Sequence, residues 1–187
     1  MRMTAAKCHW LVAAGMVCYV AGCTGLQLDL APNRTVALSG AWVVDSAASD
    51  NVGSALRPDT RRGDAGKRLS TRAEIRRIRL GSGFAFVVQD IQVLQAQRME
   101  IELAEDSMGV QHFPGVYRDV SWGIKERGIW QVHAGWQEDV LVIASQTKGI
   151  DVLERYQLLD RNRLVVSVDI RADGNQRLVN LAFRRLQ

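Results

Sequence analysis

The chain of 187 residues is 47% hydrophobic, 24% charged and 6% aromatic, with 16 glycines, 3 prolines and a formal net charge of +4. This composition is typical of one globular domain and excludes a low-complexity or collagen-like chain. No run of about 18 or more apolar residues occurs, which excludes a polytopic membrane protein.

The first 22 residues have the form of an export signal. Arg2 and Lys7 precede an apolar run from Trp10 to Gly22, which is too short to span a bilayer as a mature helix. The run ends in Val20-Ala21-Gly22-Cys23, which resembles the lipobox of bacterial lipoproteins. The resemblance implies that Cys23 receives a diacylglyceryl group, that a peptidase cuts before it, and that the new amino group is acylated. The alternative is an ordinary secretory signal that ends in a cysteine by chance.

Cleavage before Cys23 would leave 165 of the 187 residues and 22 of the 24 basic residues, against 20 acidic ones. A net charge of about +2 does not favour nucleic-acid binding. Cys23 would be the one cysteine left of three, so no intramolecular disulfide could form and burial alone must hold the domain together. The lipobox resemblance implies an anchor in the cell envelope. Because Thr24 and not Asp follows the cysteine, it also implies the periplasmic face of the outer membrane.

The mature chain divides into a tether and one domain. Residues 23–35 form a predicted lipidated tether, because turn formers without periodicity follow the cysteine. A single barrel-like domain is predicted over residues 36–187. The short apolar run from Leu38 to Asp45, which includes Trp42, predicts its first strand. A basic insertion is predicted at about residues 50–95. Apolar residues are scarce in its first part, from Asp50 to Leu80.

Positive charge is concentrated in one part of this insertion. Between residues 57 and 79, nine basic residues stand against three acidic ones, a net charge of +6. Two interpretations remain open: a solvated loop, or a basic arm that lies on anionic head groups or lipopolysaccharide beside the anchor. The basic residues are Arg57, Arg61, Arg62, Lys67, Arg68, Arg72, Arg76, Arg77 and Arg79.

Two short helices are predicted in the second half of the insertion. Thr71-x-x-Glu74 has the spacing of a capping box, and Gly81-Ser82-Gly83 would end that helix. Apolar residues from Phe84 to Ile91 then recur at helical spacing and predict a second helix over about 84–95. The same stretch also contains an alternation that would suit a strand.

From Gln97 onward, apolar and polar residues alternate with a period of two, as in half-buried strands. Eight such runs are predicted up to Leu186, and the strand at Trp42 makes nine. Short polar connections such as Lys125-Glu126-Arg127-Gly128 suit antiparallel neighbours and exclude parallel crossovers. The predicted fold class is mainly β: an antiparallel up-and-down meander that forms a barrel or a strongly curved sheet, with one or two short helices between the first and second strands.

Gly40-Ala41-Trp42 opens the first strand and resembles the Gly-x-Trp motif of the lipocalins and the wider calycin group. These proteins are meander barrels that enclose an apolar ligand, so the resemblance implies a calycin-like barrel. In that group an arginine of the last strand stacks over the tryptophan, a role that Arg184 or Arg185 would take here. The long insertion after the first strand departs from the lipocalin pattern. The chain is also similar to small bacterial envelope lipoproteins that open with this motif and end in a meander.

Aromatic side chains of the strands are the candidate ligand-binding residues. If the sheet closes, some of these rings point inward and either fill a small barrel or line an apolar cavity. Both interpretations remain open. The candidates for cavity lining are Trp122, Trp130, Trp136, Tyr117 and Tyr156.

Residues that would indicate catalysis are scarce in the mature chain. His112 and His133 have no Cys, His or carboxylate at ligand spacing, so each is predicted to be exposed or hydrogen-bonded. Ser82 lacks the sequence pattern of a nucleophile elbow. We therefore expect no catalytic residue, no metal and no cofactor.

Two functions are compatible with these patterns. The first is a lipid-anchored binding module for a small hydrophobic or amphipathic ligand. The second is a structural or assembly accessory that contacts a protein partner or an anionic envelope surface through the basic segment. No nucleic-acid partner is expected.

Overall fold

The computed structural model describes residues 26–31, 36–57 and 82–186. These residues form one sheet of ten antiparallel strands. The strands are β1 (Gly40–Val44), β2 (Arg98–Leu103), β3 (Ser107–Phe113), β4 (Tyr117–Ser121), β5 (Gly123–Arg127), β6 (Trp130–Gln137), β7 (Val140–Thr147), β8 (Ile150–Asp160), β9 (Arg163–Ala172) and β10 (Asn175–Arg185).

The sheet follows the chain as a meander, and its first strand in sequence pairs with its last. Each strand pairs with the next along the chain except β4 with β5, and β10 pairs with β1. The sheet order is therefore β4-β3-β2-β1-β10-β9-β8-β7-β6-β5. The outcome is a nearly closed up-and-down barrel whose wall is interrupted between β4 and β5. The predicted fold class, a mainly β antiparallel meander with short helices after the first strand, is confirmed.

Helices α1 (Val52–Ala55) and α2 (Ser82–Asp90) and a 3₁₀ helix (Gln92–Gln95) lie between β1 and β2. The helix predicted over about 84–95 is thus present as α2 and the 3₁₀ helix, and the strand alternative is wrong. Ser82 is the first residue of α2. The helix predicted from Thr71 lies outside the described residues.

The start of α2 is stabilised by a residue that is remote in sequence. The Gly83 N–H donates to Asp173 Oδ2 at 2.9 Å, and Asp173 belongs to the turn between β9 and β10. A carboxylate at a helix N-terminus accepts from an otherwise unsatisfied donor and is favoured by the helix dipole. A Cβ on Gly83 would stand 2.8 Å from that of Ala172, so the absence of a side chain permits this close packing.

The structure has ten strands where nine were predicted, because one predicted run is divided into two. The stretch around Trp122 forms the end of β4 and the start of β5. Lys125-Glu126-Arg127, predicted as a connection, belongs to β5. This strand is exposed along most of its length, so it carries no alternation of apolar and polar residues.

Inward-facing side chains from all around the sheet form one core. It is densely aromatic: Trp42, Trp136, Tyr156 and Phe183 are each less than 2% exposed. Phe84 and Val87 of α2 join the same apolar cluster. Much of the barrel interior is therefore occupied by the protein's own side chains, which restricts where a ligand could enter.

The predicted signal peptide (residues 1–22) and Cys23 lie outside the described residues. In the part of the chain that is described, no helix has the length and hydropathy required to cross a membrane.

Candidate functional site

The interruption of the wall between β4 and β5 is bridged by side chains. Arg127 of β5 donates from Nη1 to the carbonyl oxygen of Asp119 on β4 at 3.1 Å, on the exposed side of the wall. Inside the barrel, Arg118 of β4 reaches Glu154 of β8. We call this interruption the β4/β5 gap. It differs from every other strand boundary of the sheet in having no main-chain ladder.

A buried polar cluster lies behind the gap. Arg118 Nη1 donates to Glu154 Oε1 at 2.7 Å, and the Tyr156 hydroxyl donates to Glu154 Oε2 at 2.9 Å. Arg118 is 7% exposed, and the other two residues are fully buried. Because both carboxylate oxygens accept a hydrogen bond, the buried negative charge of Glu154 is compensated on both sides.

The protonation of this cluster follows from burial and mutual charge. Burial opposes the charged form of Arg118, but the neighbouring Glu154 carboxylate and Tyr156 outweigh it, so the pKa of Arg118 lies above its usual value. Burial and Glu154 raise the pKa of Tyr156 well above its usual value. Tyr156 therefore stays a hydroxyl donor throughout the physiological range.

Three further side chains in the interior have polar atoms without a hydrogen-bond partner among the described residues, and one of them is the indole N–H of Trp136. Both nitrogens of the His112 ring and the hydroxyl oxygen of Ser145 are buried and unpaired. His112 was predicted to be exposed or hydrogen-bonded, and the structure corrects this. Burial lowers its pKa, and Arg118 adds to this effect, while Glu154 acts in the opposite direction. An unsatisfied buried polar group costs about 1–3 kcal/mol, so each is a position where a water or a ligand would be stabilised.

Ser145 and Arg118 line a cavity of about 120 Å³ at the gap. The first residues after α2 cover one side, and β4 and β6 form the walls. The remaining lining residues are Asp90, Ile91, Gln92, Val116, Arg127, Trp130 and Val132. Drug-sized ligands occupy sites of about 300–1,000 Å³, so this volume suits about four waters or one small polar group.

Trp130 forms an aromatic wall of this cavity and is held from two sides. Its ring stacks on Phe86 of α2 with a centroid distance of 5.6 Å and an interplanar angle of 19°. Its indole N–H donates to the Asp90 carboxylate at the end of the same helix. Helix α2 therefore positions one wall of the cavity, and a shift of the helix would change its shape.

An outer groove of about 500 Å³ continues from the cavity on the solvent side of the gap. It is lined by Tyr117, Asp119, Val120, Ser121, Lys125, Glu126, Arg127 and Val132. Arg127 and Val132 line both spaces. The gap thus joins a small polar interior to a larger, open surface groove.

The five aromatic residues predicted to line a cavity occupy different environments. Trp122 and Trp136 pack edge to face in the core at a centroid distance of 6.3 Å. Tyr156 belongs to the buried polar cluster, and Trp130 lines the cavity. Tyr117 is 53% exposed on the outer face, where its hydroxyl lies over Gly109.

The Gly-x-Trp residues lie at the seam where β1 meets β10. Arg185 stacks over the Trp42 ring, with the guanidinium carbon 4.1 Å from the ring centroid. Its N–H groups donate to the carbonyl oxygens of Ala37, Ser39 and Arg161 at 2.6–2.7 Å. Gly40 has φ +133, and a Cβ there would collide with the Arg185 guanidinium. Arg184 instead points to Asp45, 3.2 Å away.

Sequence reasoning missed Arg118, Glu154 and Ser145. A signal existed for Glu154, because it occupies the same alternation phase as Val152 and Tyr156, which are buried. A charged residue in an apolar phase indicates a buried polar group that requires a partner. The partner is 36 residues away on a strand across the gap, so the sequence alone could not identify it.

Of the predicted surface contacts, Arg57 is exposed, and the basic residues from Arg61 to Arg79 lie outside the described residues. Within the described ranges, no group of three His, Cys, Asp or Glu side chains is arranged to hold a metal ion.

No protein-family model matches the chain. No curated protein matches it. Among solved structures, the chain is similar to the wild-type fluorescent protein UnaG, with 15% identity and a TM-score of 0.49 over 80% of this chain and 97% of that one. It is also similar to a point mutant of UnaG, with 14% identity and a TM-score of 0.47 over 80% and 96% of the two chains.

Proposed function

We propose that this protein is a lipid-anchored lipoprotein of the bacterial envelope whose barrel binds a small amphipathic molecule at the β4/β5 gap. Its anchor is Cys23, acylated after removal of residues 1–22, and its place is the periplasmic face of the outer membrane. The role is binding, without catalysis. The signal sequence supports the anchor, and the geometry of the gap supports the binding site.

The observation that carries the binding proposal is the unpaired Ser145 hydroxyl in the cavity beside Arg118. A serine hydroxyl can donate one hydrogen bond and accept two, and here no described residue uses them. Trp130 adds an apolar wall, so a polar group with a short apolar neighbour fits the lining. The rest of the ligand would lie in the outer groove.

The gap also gives the ligand a route that the rest of the wall lacks. Separation of paired strands breaks several main-chain hydrogen bonds at once, whereas the exposed part of the gap is bridged by one bond from Arg127. The ligand therefore enters between β4 and β5. The buried pair of Arg118 and Glu154 keeps the two sides together while it does so.

Native mass spectrometry of the full lipidated chain, purified gently from its own envelope, tests the proposal. We expect one discrete added mass that leaves on denaturation. Ser145→Ala should lose this mass without a fall in the free energy of unfolding, because the hydroxyl has no protein partner to lose. Ser167→Ala is the matched control: its hydroxyl bonds to Asn180 at 2.8 Å, outside the cavity, so the mass should be retained.

Tryptophan fluorescence gives a second, independent measurement. Short-chain fatty acids and lysolipids are titrated into the wild type and into Trp130→Phe. We expect a saturable change in the tryptophan fluorescence of the wild type and no such change in the variant. An empty protein in the mass spectrometer together with no fluorescence response to any member of the panel would refute the binding proposal.

A further inference from the structure

Residues 26–31, part of the predicted tether, lie against the barrel. Asp29 and Trp136 exchange two main-chain hydrogen bonds, each 2.8 Å long. This bridge continues the edge of β6 beyond Gly123 and Ala134, the last pair between β5 and β6. We call residues 26–31 the strap.

The barrel sequence is adapted to the strap at one position. Gly135 is buried and lies between two residues with side chains in the middle of β6. A Cβ on Gly135 would stand 2.6 Å from the Asp29 carbonyl oxygen and 2.8 Å from the Leu28 Cβ. Because Gly135 has no side chain, the strap can pack directly against the backbone of β6. The glycine is required for this close approach and not for an unusual backbone conformation.

The strap and the neighbouring β5 expose apolar side chains. Leu30 is 55% exposed, Ile124 is 62% exposed and Leu26 is 36% exposed. All three line one wide groove of about 730 Å³ on the outer face of β5 and β6. The charged lining residues of this groove, Asp29 and Glu138, are acidic. The three apolar side chains Leu26, Leu30 and Ile124 therefore suit lipid acyl chains, and the two acidic residues disfavour anionic head groups.

The distance along the chain to Cys23 limits where this face can lie. Cys23 stands three positions before Leu26 and six positions before Asp29 in the sequence. A fully extended chain covers at most about 3.6 Å per residue, so Cys23 lies within about 11 Å of Leu26 and about 22 Å of the bridge. An acylated Cys23 sits at the membrane surface, and the strap keeps the barrel close to it.

We propose that the face formed by Leu26, Leu30 and Ile124 rests in the acyl region of the bilayer that holds the Cys23 lipid. The inference rests on the proposed acylation of Cys23. The strap then acts as an orienting device: it turns β5 and β6 toward the membrane and the opposite wall, with β10, toward the aqueous space. The β4/β5 gap adjoins the membrane-facing side.

Site-specific labelling of the full, acylated protein in vesicles of zwitterionic phosphatidylcholine tests this orientation. A cysteine at Ile124 carries an environment-sensitive fluorophore, and lipids with brominated acyl chains quench it. The matched control is a label at Leu178 of β10, which is 54% exposed on the far side of the sheet. We expect at least threefold stronger quenching at position 124. Equal quenching at the two positions would overturn the inference.

Two variants test whether the strap causes the orientation. Gly135→Val should displace the strap and make the quenching at the two labels nearly equal. If this variant fails to fold, a flexible insert of about twelve residues between Cys23 and Leu26 loosens the connection without touching the barrel. A difference between the labels that survives the insert unchanged would show that the strap does not set the orientation.

The intact mass of the purified protein separates this inference from the proposed function. A mass without acyl groups refutes the proposed anchor and the orientation with it. An acylated protein whose two labels are quenched equally refutes the orientation alone and leaves both the anchor and the ligand proposal in place.

Discussion

The barrel has two places where its wall could open, and they are closed by different kinds of interaction. At the seam, β1 and β10 pair through their main chains over Trp42, Val43 and Val44, and the stack of Arg185 on Trp42 covers the junction. At the β4/β5 gap, one hydrogen bond from Arg127 connects the two strands, and Arg118 of β4 pairs with Glu154 of β8 in the interior behind them. Main-chain hydrogen bonds contain no titratable group, whereas an ion pair between two side chains is removed by a single substitution. The β4/β5 gap, which is held by side chains, is thus the one of these two places that lies beside the cavity.

The strongest test of this comparison is removal of the Glu154 charge. Glu154→Gln leaves Arg118 charged, buried and without its counter-ion, so we expect the free energy of unfolding to fall by about 3–5 kcal/mol. Urea denaturation measures it. Glu100→Gln is the matched control, since its pair with Arg98 is about half exposed and should contribute less than about 1 kcal/mol. Equal losses in the two variants would show that the buried pair does not hold the gap.

The seam is tested by two neighbouring arginines. Arg185→Ala removes the ring contact and three hydrogen bonds to carbonyl groups, and we expect a loss of about 2 kcal/mol in the free energy of unfolding. Arg184→Ala removes an exposed contact to Asp45 and should cost less than about 1 kcal/mol. Thermal unfolding of both variants gives the comparison. The reverse order would mean that Arg185 is not the residue that secures the seam.

A fall in pH should lower the free energy of unfolding through protonation of His112. Burial lowers the pKa of His112 in the folded state, so below the unfolded value of about 6.5 the unfolded chain binds more protons. The stabilising effect of keeping His112 neutral in the folded state is complete above pH 6.5. It is lost as the pH falls toward the lower pKa of the folded state.

The slope of the free energy of unfolding against pH measures this effect, at up to about 1.4 kcal/mol per pH unit from this group. His112→Met removes the titrating group and keeps an apolar side chain. Between pH 6.5 and 5, its slope should be shallower than that of the wild type. Parallel slopes would exclude His112 as the source of the acid sensitivity.

The smallest expected effect on stability is at Arg127. Arg127→Ala removes the exposed bridge to Asp119 and should change the free energy of unfolding by less than about 1 kcal/mol. Opening of the gap should nevertheless become more frequent. Amide hydrogen exchange would then accelerate several-fold in β4 and β5, with unchanged rates in β1 and β10. Uniform acceleration across all four strands would contradict a local role.

The comparison also explains which parts of the fold could be predicted. Period-two alternation is strong in β8 to β10, because one face of each strand is buried and the other is exposed to solvent. It vanishes in β5, which lies at the gap and is exposed almost throughout, so its residues were predicted as a connection. The sequence signal therefore failed at the strand beside the interruption, because a strand that is exposed on both faces has no alternation of apolar and polar residues.

The start of α2 shows a second limit of sequence-based prediction. Glycines on both sides of Ser82 are a common end signal for a helix, so the local sequence does not mark Ser82 as the start of α2. The acceptor that begins the helix is the Asp173 carboxylate, about ninety residues later in the chain. Capping by a remote residue leaves no local pattern.

Local patterns by themselves determined the antiparallel meander and the helical character of the stretch after Gly83, and they predict an export signal and a lipid anchor at Cys23. These follow from short-range periodicity and composition, which act within a few residues. Only the tertiary structure decided the closure of β1 on β10, the choice of Arg185 over Arg184 at Trp42, and the pairing of Arg118 with Glu154 behind a small cavity. These depend on contacts between distant strands, because the energy of a buried charge is set by the partner that the fold brings to it.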